Sequence, residues 1–344
     1  MLKNIETKNR FIELIKNRIH LYYPELGAQD IQIRNSYPAK KFHKSMIYRF
    51  DVYKNDKFYK GLILKKRIFN PAYNNDILRD TKEEFDNLKS LNEIARSRFL
   101  VPRVLDMLPE EGILISEKVA GKSLHSYLRE YSYLPLTKEK SKFLEKLFIG
   151  IGEWLREFHK ATSTGQQEKL DTREYIKKAR ELLGELPYWG FSAGLDKDVI
   201  KRMEALESEV LNYTFPLTSK HGDFQAKNII YDSNKIIVLD ISSSRKDITI
   251  KDVASLISGS DTFHLKSLYS FLSKDFFTIL KADFLKAYFQ NKAVPYAAIE
   301  FLQYAQLLQS LRIAYRRNNN PIRRIWILTY YNKKIRELLS RGEK

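Results

Sequence analysis

"HGDFQAKNII", residues 221–230, is the stretch whose reading decides the fold. It holds one of only six histidines in a chain of 344 residues, and twelve residues after its asparagine comes "VLDIS" (238–242), a second acid closing a β-branched run. The runs "NIIY" (228–231) and "KIIVLDI" (235–241) flank the turn "DSN", so a hairpin brings Asn228 and Asp240 together. Two oxygen donors on neighbouring loops suit Mg²⁺, a hard cation that keeps its waters and takes one or two carboxylates plus phosphate oxygens. A second carboxylate, Asp223, is left to accept a proton. Asp and Asn are also ordinary turn residues, and each of the three alone has that explanation. Together they make part of the equipment for phosphoryl transfer, which further needs a lysine for the phosphates.

The composition frames this reading. A 43% apolar and 13% aromatic chain of this length buries a large core, with room for two lobes. With no cysteine, disulfides and zinc–thiolate sites are excluded. The N-terminus "MLKNIETKNRFIELIKNRI" is charged throughout, and no apolar run reaches spanning length, so a cytoplasmic protein is expected. The formal charge of +18 points either to an anionic partner or to helices solvated by lysine. Residues 301–344 concentrate it, with ten basic residues against Glu337 and Glu343.

Along the chain, residues 5–22 place Phe11, Leu14, Ile15 and Ile19 on one face of an amphipathic helix. "IQIRN", "MIYRFDVYK" and "FYKGLILKKRIF" read as strands between about 29 and 68, the last two joined by "NDK" as in a hairpin. "DTKEEFDNLKSLNEIARS" then predicts a helix with Phe85, Leu88, Leu91 and Ile94 inward. "GILISEKVAG" is another strand, and beyond about 123 the chain reads as helical outside 220–250. The expected fold class is α+β, with a β-rich part at 1–116 and a helical part at 117–344.

With these residues in place, a resemblance becomes specific. Asp and Asn at five-residue spacing followed by a later Asp is the arrangement of the protein-kinase catalytic loop. "HGDFQAKNII…IIVLDIS" resembles the aminoglycoside phosphotransferase and choline kinase group, small-molecule kinases with a bilobal protein-kinase-like fold. The resemblance implies Asp223 as catalytic base, Asn228 and Asp240 as magnesium ligands, and ATP as phosphoryl donor. It assigns supporting places to His221, which orients the loop, to Gln225, and to Asp252, which opens a helix and braces the catalytic loop. Further pieces follow in family order over about residues 30–260. "GLILKKR" offers Lys65 for the α/β-phosphates, with Lys66 on the opposite face of its strand. "EEFDNLKSL" offers Glu84 to pair Lys65, "ISEKVAGKSL" places the adenine-binding hinge at Glu117, Lys118 and Val119, and "LREFHKATS" resembles the helix beneath the catalytic loop.

The chain departs from the pattern at "NSYPAKKFHKSMIYRF", where a phosphate loop rich in glycine belongs and no glycine occurs; Lys40, Lys41, Lys44 or Ser45 are the candidates to cover phosphates there. Ile-Ser follows Asp240 where protein kinases carry Phe-Gly, so their activation-loop switch has no support. Tyr188, Trp189 and Phe191 lie where the family inserts substrate-binding helices and either stack on a sugar or pack. Tyr304, Tyr315, Trp326, Tyr330 and Tyr331 read as helix core with a solvated basic face, or as an anion-recognising acceptor wall. A basic chain favours a neutral or anionic acceptor, such as a cell-envelope sugar or glycan, over a cationic one. The rival readings are a protein kinase, or an inactive pseudokinase serving as a binding module for nucleic acid or an anionic membrane. No nucleic-acid motif is present, which ranks that partner last.

Overall fold

The protein is described by a computed structural model covering residues 2–27, 31–42, 44–71, 74–95, 99–131, 137–185, 194–241, 245–266, 270–290, 292–316 and 318–340. It divides into two compact units, Met1–Leu124 with Asn228–Ser244, and His125–Lys227 with Arg245–Lys344. The single cut expected after residue 116 therefore becomes a division in which the hairpin after Asn228 joins the first unit.

The first unit opens with helix α1 (Leu2–Tyr22), then strands β1 (Ile31–Lys41), β2 (Ser45–Lys54) and β3 (Lys57–Arg67), helix α2 (Ile77–Ala95), and strands β4 (Val104–Leu108) and β5 (Ile113–Glu117). The five strands form an antiparallel sheet in the order β1-β2-β3-β5-β4. Asn55 and Asp56, both at positive φ, make the tight turn between β2 and β3, a conformation Asn and Asp tolerate better than most residues. Alternation along β2 and β3 sends Phe50, Val52, Leu62 and Leu64 to one buried face. There Phe11, Ile15 and Ile19 of α1 close a core with Ile113 and Ile115 of β5. The amphipathic reading of residues 5–22 corresponds to this helix.

Helix α2 departs from its expected face. Leu88 and Leu91 are buried, but Ile94 is 40% exposed, and the inward stripe instead takes in Thr81, Glu84 and Asn87. Two polar side chains turn inward because both find partners: Glu84 meets cations on β3, and the Asn87 amide donates to the Ile241 carbonyl at 2.9 Å.

A second small sheet completes this unit. Strands β6 (Lys122–Ser123), β9 (Ile229–Asp232) and β10 (Lys235–Val238) lie in the order β10-β9-β6. The β9–β10 turn uses Ser233 and Asn234, both at positive φ. The Val238 N–H also donates to the Leu100 carbonyl at 3.1 Å, so the hairpin is tied to earlier chain on two sides. Gly121 makes the close approach possible: at φ +95° a Cβ there would sit 2.3 Å from the Tyr231 carbonyl oxygen.

The second unit is mostly helical: α3 (Leu124–Tyr131), α4 (Lys138–Ala161), α5 (Thr172–Glu185), α6 (Leu195–Val210), α7 (Ile250–Lys266), α8 (Ser270–Phe289), α9 (Tyr296–Arg316) and α10 (Pro321–Leu339). Buried Leu155, Phe158, Leu280, Phe284, Phe301 and Tyr304 build its core. A three-stranded sheet of β7 (Gln167–Glu168), β8 (Phe215–Ser219) and β11 (Lys246–Ile248), in the order β11-β8-β7, interrupts the helices. Strands β7 and β8 fall in sequence that reads as helical, because β7 is two residues long and β8, "FPLTS", carries a proline and no alternation. Trp326 is also corrected: unlike buried Tyr304, it is 67% exposed and forms no part of the core. Tyr188, Trp189 and Phe191 lie outside the described residues.

Gly121→Ala is expected to destabilise the protein by about 2 kcal/mol or more, through positive-φ strain and a backbone clash that no side chain can relieve. Urea unfolding of the two proteins measures it.

Candidate active site

Lys65 stands on the middle strand of the five-stranded sheet, with β2 on one side and β5 on the other. Its Nζ donates to Glu84 Oε1 at 2.8 Å and to Asp240 Oδ1 at 3.3 Å. Its neighbour Lys66 points the other way, with Nζ 5.7 Å from the Phe11 ring centre, as strand alternation requires. Burial disfavours the Lys65 ammonium, but the charges of Glu84 and Asp240 outweigh it and hold its pKa above the ordinary lysine value, against the opposing charge of Arg67. Arg67, two residues on and on the same face, donates to the other Glu84 oxygen at 2.5 Å and lies 3.7 Å from Asp80. Glu84 is thus a nearly buried carboxylate held between two cations. Arg67 was not singled out from sequence; the i, i+2 spacing from Lys65 on a strand was the available signal.

The base of the β9–β10 hairpin brings Asp240 near Asn228 in the chain's path: the Leu239 N–H, one residue before Asp240, donates to the Asn228 carbonyl at 2.8 Å. Asn228 is buried, whereas the Asp240 side chain is 58% exposed. Asp240 adopts φ +57°, a left-handed conformation that costs a non-glycine residue about 1 kcal/mol and is least unfavourable for Asp and Asn. Anchoring on both flanks, through Leu239 to Asn228 and from Asn87 to Ile241, holds the backbone in that state.

In the second unit, Asp252 in the first turn of α7 organises the segment around Asp223. Its carboxylate accepts the backbone N–H of His221 at 2.9 Å and of Gly222 at 3.1 Å, and His159 Nε2 lies 3.3 Å away. His159 Nδ1 is 2.8 Å from the Tyr288 hydroxyl, and burial keeps that phenol protonated by pushing its pKa up. The His221 ring accepts the Asp223 N–H at Nδ1, 3.2 Å, and packs edge-on against buried Phe224. Gly222 takes φ +82°, which lets the chain turn between these two anchors.

Half-exposed Asp223 forms an ion pair with Lys227 at 2.7 Å. This cation also escaped the sequence reading, although its i+4 position was a signal. Gln225 lies against Gly259 of α7.

At residues 117–119, the Glu117 carboxylate accepts the Tyr23 hydroxyl at 2.9 Å and Arg103 at 3.1 Å, so this side chain is engaged in the sheet's surroundings. The N–H groups of Glu117 and Lys118 donate to Arg103 and Gly61 carbonyls, whereas among the described residues the Val119 N–H has no backbone partner. In the β1–β2 connection, Ser45 is buried and Lys40 Nζ lies 5.2 Å from the Phe42 ring centre.

Comparisons with known proteins bear on the family and the fold. A sequence model of the phosphotransferase enzyme family, APH, matches residues 67–302, well over half of the chain. The chain belongs to that family and is a small-molecule phosphotransferase. A search of curated proteins found no match. Among solved structures, a choline kinase from Cryptosporidium parvum Iowa II aligns with TM-score 0.57 at 14% identity, over 97% of each chain. A glucosamine kinase aligns with TM-score 0.58 at 13% identity, covering 91% of this chain and 81% of that one. The aminoglycoside phosphotransferase APH(4)-Ia aligns with TM-score 0.54 at 13% identity, over 98% and 99%. The fold is protein-kinase-like, as the sequence resemblance implied.

Burial raises the Asp252 carboxyl pKa, but hydrogen bonding from His159, the charges of His159 and His221 and the His221 N–H outweigh it, and the net shift is downward. A carboxyl depressed by folding adds stability that is complete above the unfolded value of about 3.9 and lost as pH falls through the lower folded value. Asp252→Asn is expected to lower stability at neutral pH by about 1.5–3 kcal/mol. It is also expected to flatten the acid limb of the stability curve, as followed by urea unfolding at a series of pH values.

Proposed function

We propose that this phosphotransferase moves the γ-phosphoryl group of ATP to a hydroxyl of a small molecule or glycan. The observation that carries the reading is the Lys65 ammonium, held at once by Glu84 and Asp240. A cation fixed by one buried carboxylate and one exposed carboxylate is prepared to bind phosphate oxygens. Lys65 positions the α/β-phosphates, and Glu84, shared with Arg67, keeps the ammonium in place. The hinge receives adenine, for which the N–H of Val119, without a backbone partner among the described residues, is a donor.

Asn228 and Asp240 fit Mg²⁺. Among the described residues no group of three or more His, Cys, Asp or Glu gathers to cage a metal. The hairpin therefore offers one carboxylate and one amide oxygen, the sparse donor set of an ion that completes its shell with water and phosphate. When bound, Mg²⁺ neutralises charge on the phosphates. Asp223 orients the acceptor hydroxyl and takes its proton as the new bond forms between that oxygen and the γ-phosphorus. The bond from the γ-phosphorus to the β-bridging oxygen breaks, and ADP leaves. The Lys227 pair holds the Asp223 carboxylate until substrate arrives. His221 and Asp252 act on Asp223 only by fixing its backbone. Gln225 sits beside this segment and carries no step.

The charge of +18 supports a neutral or anionic acceptor, with a cell-envelope sugar as the preferred class. Purified protein is expected to consume ATP in the presence of Mg²⁺ when screened against pools of sugars, phosphosugars, amino alcohols and aminoglycosides. With the responding acceptor, Asp223→Ala and Asp240→Ala should each lower kcat by about 10²-fold or more while both variants stay folded. Unchanged turnover in both variants overturns the reading.

A further inference from the structure

We propose that helix α10 seats this protein on an anionic lipid bilayer. The helix packs on α9 and α6 through Leu328, Ile335 and Leu338. Its opposite side presents an exposed stripe at helical spacing, from Ile322 through Ile325, Trp326, Thr329 and Lys333 to Arg336. The stripe is divided along its length. Ile322 (77% exposed), Ile325 (65%) and Trp326 (67%) gather in its first turns, directly after the short connection from α9, and Arg323 stands exposed among them. Lys333 and Arg336 occupy the far end.

Three large apolar side chains left in water on adjacent turns are unfavourable unless something covers them. The occupant must accept aliphatic and indole groups in one place and provide negative charge within a few turns of helix. The interfacial layer of an anionic membrane does both: the acyl boundary receives Ile and Trp, and the headgroups face Arg and Lys. A second copy of the chain fits poorly, because an antiparallel two-fold contact sets the apolar end of one stripe against Lys333 and Arg336 of the other, and a parallel one sets like charges together. Nucleic acid fits the cations and Trp326 but leaves the two isoleucines without a role. Among the described residues no helix is long and apolar enough to cross a membrane, so the contact is peripheral.

Co-sedimentation of the full chain with phosphatidylcholine vesicles, with and without phosphatidylglycerol, tests this. Binding is expected to require phosphatidylglycerol and to weaken as salt rises. The double variant Ile322→Ser/Trp326→Ser should bind about tenfold less or weaker still, and Arg323→Gln/Lys333→Gln should lose a similar factor, both with unchanged thermal unfolding. If the apolar variant fails to fold, the charge variant carries the test alone. Failure to bind the anionic vesicles overturns the proposal, as does binding that neither variant weakens. A dimer in sedimentation velocity that Trp326→Ser dissociates would show that a second copy, not lipid, covers the stripe.

Discussion

A lysine on the central strand of a sheet loses much of its water, and its charge survives there only if carboxylates replace that water. Lys65 meets this constraint with Glu84 from α2 and Asp240 from beyond the β9–β10 hairpin. The consequences spread through the first unit. Helix α2 must turn a polar stripe inward to deliver Glu84, which leaves Ile94 outside. Arg67 shares the same carboxylate, so Glu84 has a partner for each of its oxygens. Removing either end of such a buried pair costs about 3–5 kcal/mol because the other charge stays behind. An arrangement with that liability is a weak source of stability and a well-placed binding group, which is the ground for the proposed phosphate role of Lys65.

The second organising device is the hairpin from Asn228 to Asp240. It is inserted in sequence between stretches of the second unit, yet its first strand pairs with β6 and its last residues are bonded to α2 and to Leu100. The left-handed backbone at Asp240 depends on those anchors. Asp252 plays the matching part in the second unit, gathering two backbone N–H groups and a histidine around one buried carboxylate. In each unit, then, an exposed acid, Asp240 or Asp223, is presented by backbone that buried polar groups hold in place.

Much of this was legible in the residues. The strands β1 to β3 show period-two alternation and a two-residue turn, and α1 shows an unbroken apolar face; both are local signals that tertiary structure had no reason to override. Asp223, Asn228 and Asp240 stood out because polar residues interrupted β-branched runs at a spacing that chemistry uses. The inward face of α2 was legible only in part: the family resemblance marked Glu84 as the partner of Lys65, whereas a rule that assigns apolar residues to the core cannot anticipate Asn87 turning in toward a distant carbonyl. Strand β8 was hidden by its proline and its brevity. Lys227 and Arg67 looked like two more cations in a basic chain until their carboxylates were placed beside them.

By itself, the sequence determined which residue types were available for chemistry, their order along the chain, and the local periodicities that make each helix and most strands. Tertiary structure alone decided how the pairings close: that Asp240 joins Glu84 at Lys65, that the hairpin belongs to the first unit, and which side of α10 meets water. The physical reason is that periodicity is a property of neighbouring residues, whereas a buried charge is satisfied by whatever the fold brings to it. Glu84 lies nineteen residues from Lys65, and Asp240 lies 175 away. No local pattern spans those distances.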